Sequence, residues 1–298
     1  MRYFIVSDIH ANLEALTACL LDYLKQYHPS PSTKDKIIAS LQGQRIAVDT
    51  IRLNTPTGTP DKVICLGDTL GYGANPNECW EMVNSIADVQ ILGNHELSIY
   101  NQGNNGNNPT EHSDHNIIRM WQWTYAALTE PNKKDLQHHC ETKPYLLEEK
   151  NIMFSHGLPT RPELFFYHYI PSRAQKFFTN PSFAGKISLL GHAHITSIIE
   201  KVYPEYNQDL YGMQITPPAS GQEYQLVMDL SSYERILVSV PSVGQPRDGH
   251  TQTGYTLYDS EKKKVLFRRI PYDIAAAAEK TRRVGLPSIG AERLFLGQ

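Results

Sequence analysis

The sequence predicts an α/β fold, and three observations predict it. Five short apolar runs, at residues 3–7, 62–66, 89–92, 151–155 and 186–190, are rich in Val, Ile, Leu or Phe, the pattern of strands covered on both faces. Segments with helical spacing lie between them. Each apolar run then breaks into Asp, Gly, Asn or His.

The helices follow from their ends and their spacing. Asn12 can cap a first helix, whose Leu13, Leu16, Leu20, Leu21 and Leu24 line one face. A second covers about residues 78–86 and a third about 114–128. Such alternation of strand and helix suits a sheet with helices packed on it. Toward the C-terminus come two further strand-like runs, 224–230 and 236–241, and a hairpin pairing 255–258 with 264–269. A short helix follows Pro271, whose fixed φ suits a first turn, and its alanines at 275–278 favour that state.

Two segments read as insertion or loop. Residues 28–60 carry Pro, Ser, Thr and Gly punctuation around a strand pair at 45–53. Residues 101–108, rich in Asn and Gly, read as a mobile loop. With no repeat and no linker, the expectation is one domain over residues 1–298 with an insertion at 28–60.

Bulk composition removes several function classes. Of the 298 residues 40% are hydrophobic and 20% charged, which is ordinary for a globular protein. A net charge of −3 leaves no electrostatic footprint for a nucleic-acid or membrane partner. Asp8 arrives before a signal-peptide core could be completed. No apolar run approaches the roughly 18 residues that suggest a membrane span. Cys19, Cys65, Cys79 and Cys140 form no CxxC pair, and Cys65 sits in an apolar run as a buried thiol would. A reduced, cytoplasmic protein is expected.

The chemistry stands where the apolar runs end. After them come Asp8 and His10, then Gly67 and Asp68, then Gly93, Asn94, His95 and Glu96, then His156, then Gly191, His192 and His194. In open α/β sheets, ligand sites collect beyond the carboxyl ends of the strands. Imidazole with carboxylate or amide oxygen suits Mn, Fe, Zn or Ni, whereas Mg favours oxygen alone. Asp8 and His10 stand two apart, so a turning backbone can aim both at one ion, and His192 with His194 repeats that spacing.

Asp8-Ile9-His10, Gly67-Asp68, Gly93-Asn94-His95-Glu96, His156 and Gly191-His192-Ala193-His194 resemble, in order and rough spacing, the signature of calcineurin-like metallophosphoesterases. The resemblance implies a four-layer α-β-β-α sandwich of two packed mixed sheets flanked by helices. It implies one ion held by Asp8, His10, Asp68 and His194. A second would be held by Asp68, Asn94, His156 and His192, with Asp68 bridging. Hydrolysis would follow in-line attack by a hydroxide shared between the ions. His95 would not be a ligand but the general acid that protonates the leaving oxygen. Glu96 reads as local structural support.

The run Gly67-Asp68-Thr69-Leu70-Gly71-Tyr72-Gly73 lacks the Asp-Arg-Gly that follows in many phosphatases of the superfamily. It resembles instead a bacterial phosphodiesterase-type subgroup, as does Ser242-Val243-Gly244-Gln245-Pro246-Arg247-Asp248-Gly249. Arg247 is a candidate phosphate binder or an ion-pair partner of Asp248. Tyr72 is a candidate to stack on a base or to wall the cleft. The aromatic residues 165–169 read as core or as the surface of a homo-oligomer, with a pocket lining by Tyr167 or His168 as the alternative.

The expected reaction is hydrolysis of a phosphodiester or phosphoanhydride in a small, nucleotide-type substrate. Two divalent or trivalent transition-metal ions would serve it, Mn first. Two other readings compete: a non-catalytic metal-binding scaffold, and a nuclease, which the missing basic stripe ranks last.

Overall fold

The computed structural model of the chain describes residues 1–27, 29–48, 61–105, 114–202, 210–214, 224–232 and 234–298. In chain order the first half runs β1 (Arg2–Val6), α1 (Leu13–Gln26), α2 (Pro31–Gly43), β2 (Asp61–Cys65), α3 (Pro76–Ile86), β3 (Val89–Gln90), α4 (Asn94–Asn105), α5 (His115–Ala127) and α6 (Glu130–Thr142). Next come β4 (Leu146–Glu149), β5 (Ile152–Ser155), α7 (Pro171–Thr179), β6 (Ile187–Leu190), β7 (Ser197–Val202) and β8 (Leu210–Gln214). The chain closes with β9 (Tyr224–Asp229), β10 (Ile236–Ser239), β11 (Thr253–Asp259), β12 (Lys264–Ile270), α8 (Ile274–Arg283) and α9 (Ser288–Leu296).

These strands build two mixed sheets, in the orders β3-β2-β1-β11-β12-β9 and β4-β5-β6-β10-β7-β8. The period-two alternation of strand side chains explains the layering. From β1, Tyr3 and Ile5 join Phe154 of β5, Leu189 of β6 and Val238 of β10 in a core between the sheets. Phe4 and Val6 point the other way, onto Leu16 and Leu20 of α1 and Val83 of α3. On the second sheet, Met153, Leu190 and Leu237 face outward against Ala174 and Phe177 of α7. The result is the expected helix–sheet–sheet–helix layering.

The strands anticipated near residues 62–66, 151–155 and 186–190 and the hairpin of β11 with β12 are present within a residue or two at each end. The run at 89–92 is a strand only over Val89–Gln90. Residues 31–43, read as part of a loop-like insertion, are helix α2: Ser30 caps it, accepting from Thr33 N–H, and Pro31 opens its first turn. Residues 45–48 carry no strand, and the rest of the expected pair at 45–53 lies outside the described residues. Of the Asn- and Gly-rich 101–108, residues 101–105 finish helix α4, and 106–108 lie outside the described residues. Cys19, Cys65 and Cys79 are buried free thiols, and Cys140 is a half-buried one. Among the described residues no helix is long and apolar enough to cross a membrane.

What matters for function is how the strand ends are tied. Beyond β1, Asp8 N–H donates to Gly67 O beyond β2 at 3.1 Å, and His10 N–H to Asp68 O at 3.0 Å. Val243 N–H, beyond β10, reaches Ser7 O at 2.9 Å, and Gly191 N–H, beyond β6, reaches His156 O at 3.0 Å. The carboxyl ends of strands from both sheets are thereby stitched into one rim.

Candidate metal centre

Along that rim the backbone turns sharply. Asp8, His10, Asp68, His192 and His194 all have positive φ, between 51° and 66°. For residues with a Cβ, such conformations cost of order 1–3 kcal/mol each and persist where the surroundings hold them. Here the cross-strand hydrogen bonds hold them. The reversal directly after an extended strand throws each side chain inward over the strand ends. At Gly93 the requirement is space, because a Cβ there would strike the backbone and carboxylate of Asp68.

The side chains converge as three overlapping groups. Asp8, His10 and His194 form one, Asp68, His156 and His192 another, and His10, Asp68 and His95 a third, each with ligand atoms within 4.8 Å of one another. Asn94 Oδ1 joins the second group, 3.1 Å from His156 Nε2. All seven positions implied as ligands are thus brought together. Asp8, His10 and His194 share one group and His192 lies in the other, the division that the resemblance implies.

Hydrogen bonds fix which nitrogen of each ring faces the centre. His10 Nδ1 lies 3.1 Å from Leu70 O, His156 Nδ1 2.8 Å from Leu66 O, and His194 Nδ1 2.5 Å from Gln245 O. A carbonyl only accepts, so each Nδ1 carries a proton and Nε2 is the atom that ligates when the ring is neutral. In consequence His10 Nε2 and His194 Nε2 face each other at 3.0 Å as two lone pairs, with Asp8 Oδ1 3.3 Å from the latter. Two acceptors that close repel unless a cation sits beside them, so the arrangement fits a metal ion.

His95 is set the other way. The indole N–H of Trp121, on α5, donates to His95 Nδ1 at 3.2 Å. The neutral ring's proton is therefore on Nε2, which points at Asp68 Oδ2 from 4.0 Å. Gly71 makes the room: a Cβ there would run into His95 Nδ1. A ring held in this tautomer presents a donor rather than a ligand atom, as expected of a non-ligand histidine.

Electrostatics follow from burial and neighbours. Burial alone would raise the carboxyl of Asp68, but His156 and His95 hold it well below its ordinary value. Asp8 is likewise lowered against burial, by His194 and then His156. His156 is raised to about 9 although burial opposes this, because Asp68 and Asp8 lie beside it. Burial and neighbouring histidines lower His10 and His192, and burial with Arg247 lowers His194. His95 falls to about 4, chiefly through burial. Glu96 rises to about 7, again chiefly through burial, then through Asp68. Its two oxygens accept the N–H groups of Asp68 and Leu70 at 2.9 and 3.1 Å, the local support expected of it. Asp68 Oδ1 accepts from His95 N–H at 2.9 Å, in the first turn of α4, where the helix dipole favours a negative charge. Its Oδ2 is left 3.2 Å from His156 Nε2 and 3.9 Å from His10 Nε2.

A cleft of about 650 Å³ opens over the centre, lined by Asp68, Asn94, His95, His192 and His194. Tyr72 and Arg247 also line it. Arg247 does not pair with Asp248, which binds the buried Arg269. Its Nη2 instead donates to Gln245 Oε1 at 2.7 Å, and its guanidinium lies 5.6 Å from the Tyr72 ring centre. Residues 165–169 depart from the core reading: Phe165, Phe166 and Tyr167 line the cleft, and Tyr167 stacks on His192 at 4.2 Å. His168 is buried against Ser197 instead. His139 packs edge-on to Trp80, away from the centre. Sequence reasoning missed Trp121 and Gln245, whose signals exist only in three dimensions.

Comparison with known proteins agrees with this fold. An uncharacterized protein of Methanocaldococcus jannaschii is 30% identical, over 99% of this chain and 97% of its own. A metallophosphoesterase from Sphaerobacter thermophilus shares the fold with a TM-score of 0.70 and 25% identity, covering 100% of this chain and 99% of that one. A hypothetical protein of Pyrococcus horikoshii OT3 superposes with a TM-score of 0.61 at 16% identity, over 100% and 98% of the two chains, which speaks for the fold alone. The family model for calcineurin-like phosphoesterases matches residues 1–216, and the chain belongs to that family.

Proposed function

We propose that the protein hydrolyses a phosphodiester or phosphoanhydride in a small, nucleotide-type substrate, with two transition-metal ions. The observation that carries this reading is the pair of proton-free nitrogens of His10 and His194, aimed at each other beside Asp8. Asp8, His10, Asp68 and His194 would hold one ion. Asp68, Asn94, His156 and His192 would hold the other, with Asp68 shared. When bound, such ions, Mn first or else Fe, Zn or Ni, polarise a phosphoryl oxygen and lower the pKa of an attacking water.

The chain's own groups do the rest. Arg247, held by Gln245, offers a planar fork of donors to the phosphate. Tyr72 walls the cleft beside it. His95 donates a hydrogen bond from Nε2 as negative charge builds on the leaving oxygen. With Nδ1 engaged by Trp121, the ring is neutral at neutral pH, so the general-acid role reduces to this hydrogen bond. That arrangement suits a leaving group that departs as a stable anion, such as a nucleoside phosphate, over an alkoxide.

The test is turnover of bis-p-nitrophenyl phosphate, cyclic nucleotides and dinucleoside polyphosphates by the Mn²⁺-supplemented protein. The expected result is hydrolysis of at least one, abolished by a chelator and restored by Mn²⁺. No turnover above a His95→Ala control on any of them would sink the proposal. Metal uptake without turnover would favour the scaffold reading.

A further inference from the structure

The cleft is larger than the metal centre needs, and its outer wall is cationic. Besides Arg247 it is lined by Arg173 of α7 and Arg293 of α9, which are far apart in the sequence. Apart from Asp68 at the centre, the one acid on its lining is Glu163, which is paired with Arg161. Among the described residues no carboxylate lies within ion-pair distance of Arg173, Arg247 or Arg293. Asp114, which shares a small neighbouring hollow with Arg293, accepts instead from Asn116 N–H at 2.8 Å, capping α5.

The three arginines differ in their neighbours. Arg247 is close enough to the centre for its charge to depress the basicity of His95 and His194. The guanidinium carbon of Arg173 lies over Phe166, 3.8 Å from the ring centre, a cation–π contact that leaves the N–H donors to meet an anion. Arg293 shares the Tyr72 wall, since both also line the adjoining hollow. A concave surface with one sign of charge gathers ligands of the other sign. One phosphate at the ions would engage Arg247 and leave the outer pair without a partner.

Resting on the phosphoesterase reading above, the geometry points to Arg173 and Arg293 as an outer anion subsite, which binds a second phosphate of the substrate beyond the one being attacked. The substrate class is then an organic di- or polyphosphate, and Arg173 and Arg293 are specificity-determining residues.

Competitive inhibition of the full-length, Mn²⁺-loaded protein tests this, with bis-p-nitrophenyl phosphate as substrate and free Mn²⁺ held constant. For the unaltered protein, tripolyphosphate should inhibit about tenfold or more better than orthophosphate, the worth of one or two charge-assisted hydrogen bonds. In the Arg173→Gln/Arg293→Gln double variant that preference should fall to about threefold or less, and Arg173→Lys/Arg293→Lys should recover part of it. Orthophosphate inhibition should be unchanged in the double variant, which separates loss of the subsite from a general loss of structure. The proposal is overturned if tripolyphosphate inhibits no better than orthophosphate, or if the double variant keeps the full preference. Should bis-p-nitrophenyl phosphate not be hydrolysed, calorimetric titration of the two anions into the same loaded proteins reads the subsite instead, with the same ratios deciding; the phosphoesterase reading stands or falls separately, on the full substrate panel.

Discussion

Asp68→Asn should cost the Mn²⁺-supplemented protein about a thousandfold or more in kcat/KM on any substrate it hydrolyses. Asp68 belongs to two of the three ligand groups and is the proposed link between the ions. It is buried, and one oxygen is already committed to the His95 backbone, so the charge facing His156 and His10 cannot come from solvent. The amide keeps the shape and removes the charge. Lewis-acid assistance is worth several kcal/mol, and each 1.4 kcal/mol is a factor of ten. Kinetics over a Mn²⁺ titration, beside metal content per chain, provide the check. If excess metal restored full turnover, Asp68 would be a minor contributor.

His95→Ala should lower kcat by about 10²–10³-fold while leaving bound metal unchanged. The separation of these two readouts comes from the tautomer. His95 stands within a cluster of metal-capable atoms with His10 and Asp68, so proximity alone would allow it to ligate. Trp121 decides otherwise by occupying Nδ1, which leaves Nε2 protonated and aimed into the cleft. Trp121→Phe keeps the packing against the ring but removes the indole donor, and should cost about tenfold in kcat with little change in KM. The measurement is kcat, KM and metal stoichiometry for both variants. Lower metal content in His95→Ala would make His95 a ligand and contradict the assignment.

How much of this was legible beforehand depends on where each signal lies. The strands that carry the site were readable because their runs are apolar and end abruptly in Asp, His or Gly, a local signal within a few residues. Helix α2 was not, because Pro31–Gly43 is polar apart from residues such as Ile37 and Leu41, and its Ser-Pro opening reads equally as a turn. Helix α6 is similar: Leu136 is its one buried apolar residue, and Thr129 caps a first turn entered through Pro131. Their stability comes from packing that no window of sequence displays.

At the site, residue identity was legible and partnership was not. The two-residue spacing of His192 and His194 does not by itself tell one shared ion from two; in the structure both residues take left-handed φ and their rings join different groups. Trp121 looks like any buried aromatic on an amphipathic helix, since its indole N–H acquires meaning only against His95, and Arg173 and Arg293 resemble ordinary surface arginines until one cleft is seen to hold both.

Strand-end side chains from both sheets are proposed to cage two cations around one shared carboxylate. Anomalous scattering at the manganese edge, from crystals grown with Mn²⁺, addresses this directly. Two peaks flanking the carboxylate of Asp68 are expected, one against Asp8, His10 and His194, the other against Asn94, His156 and His192. A lone peak among His10, Asp68 and His95, or none near Asp68, would contradict the account.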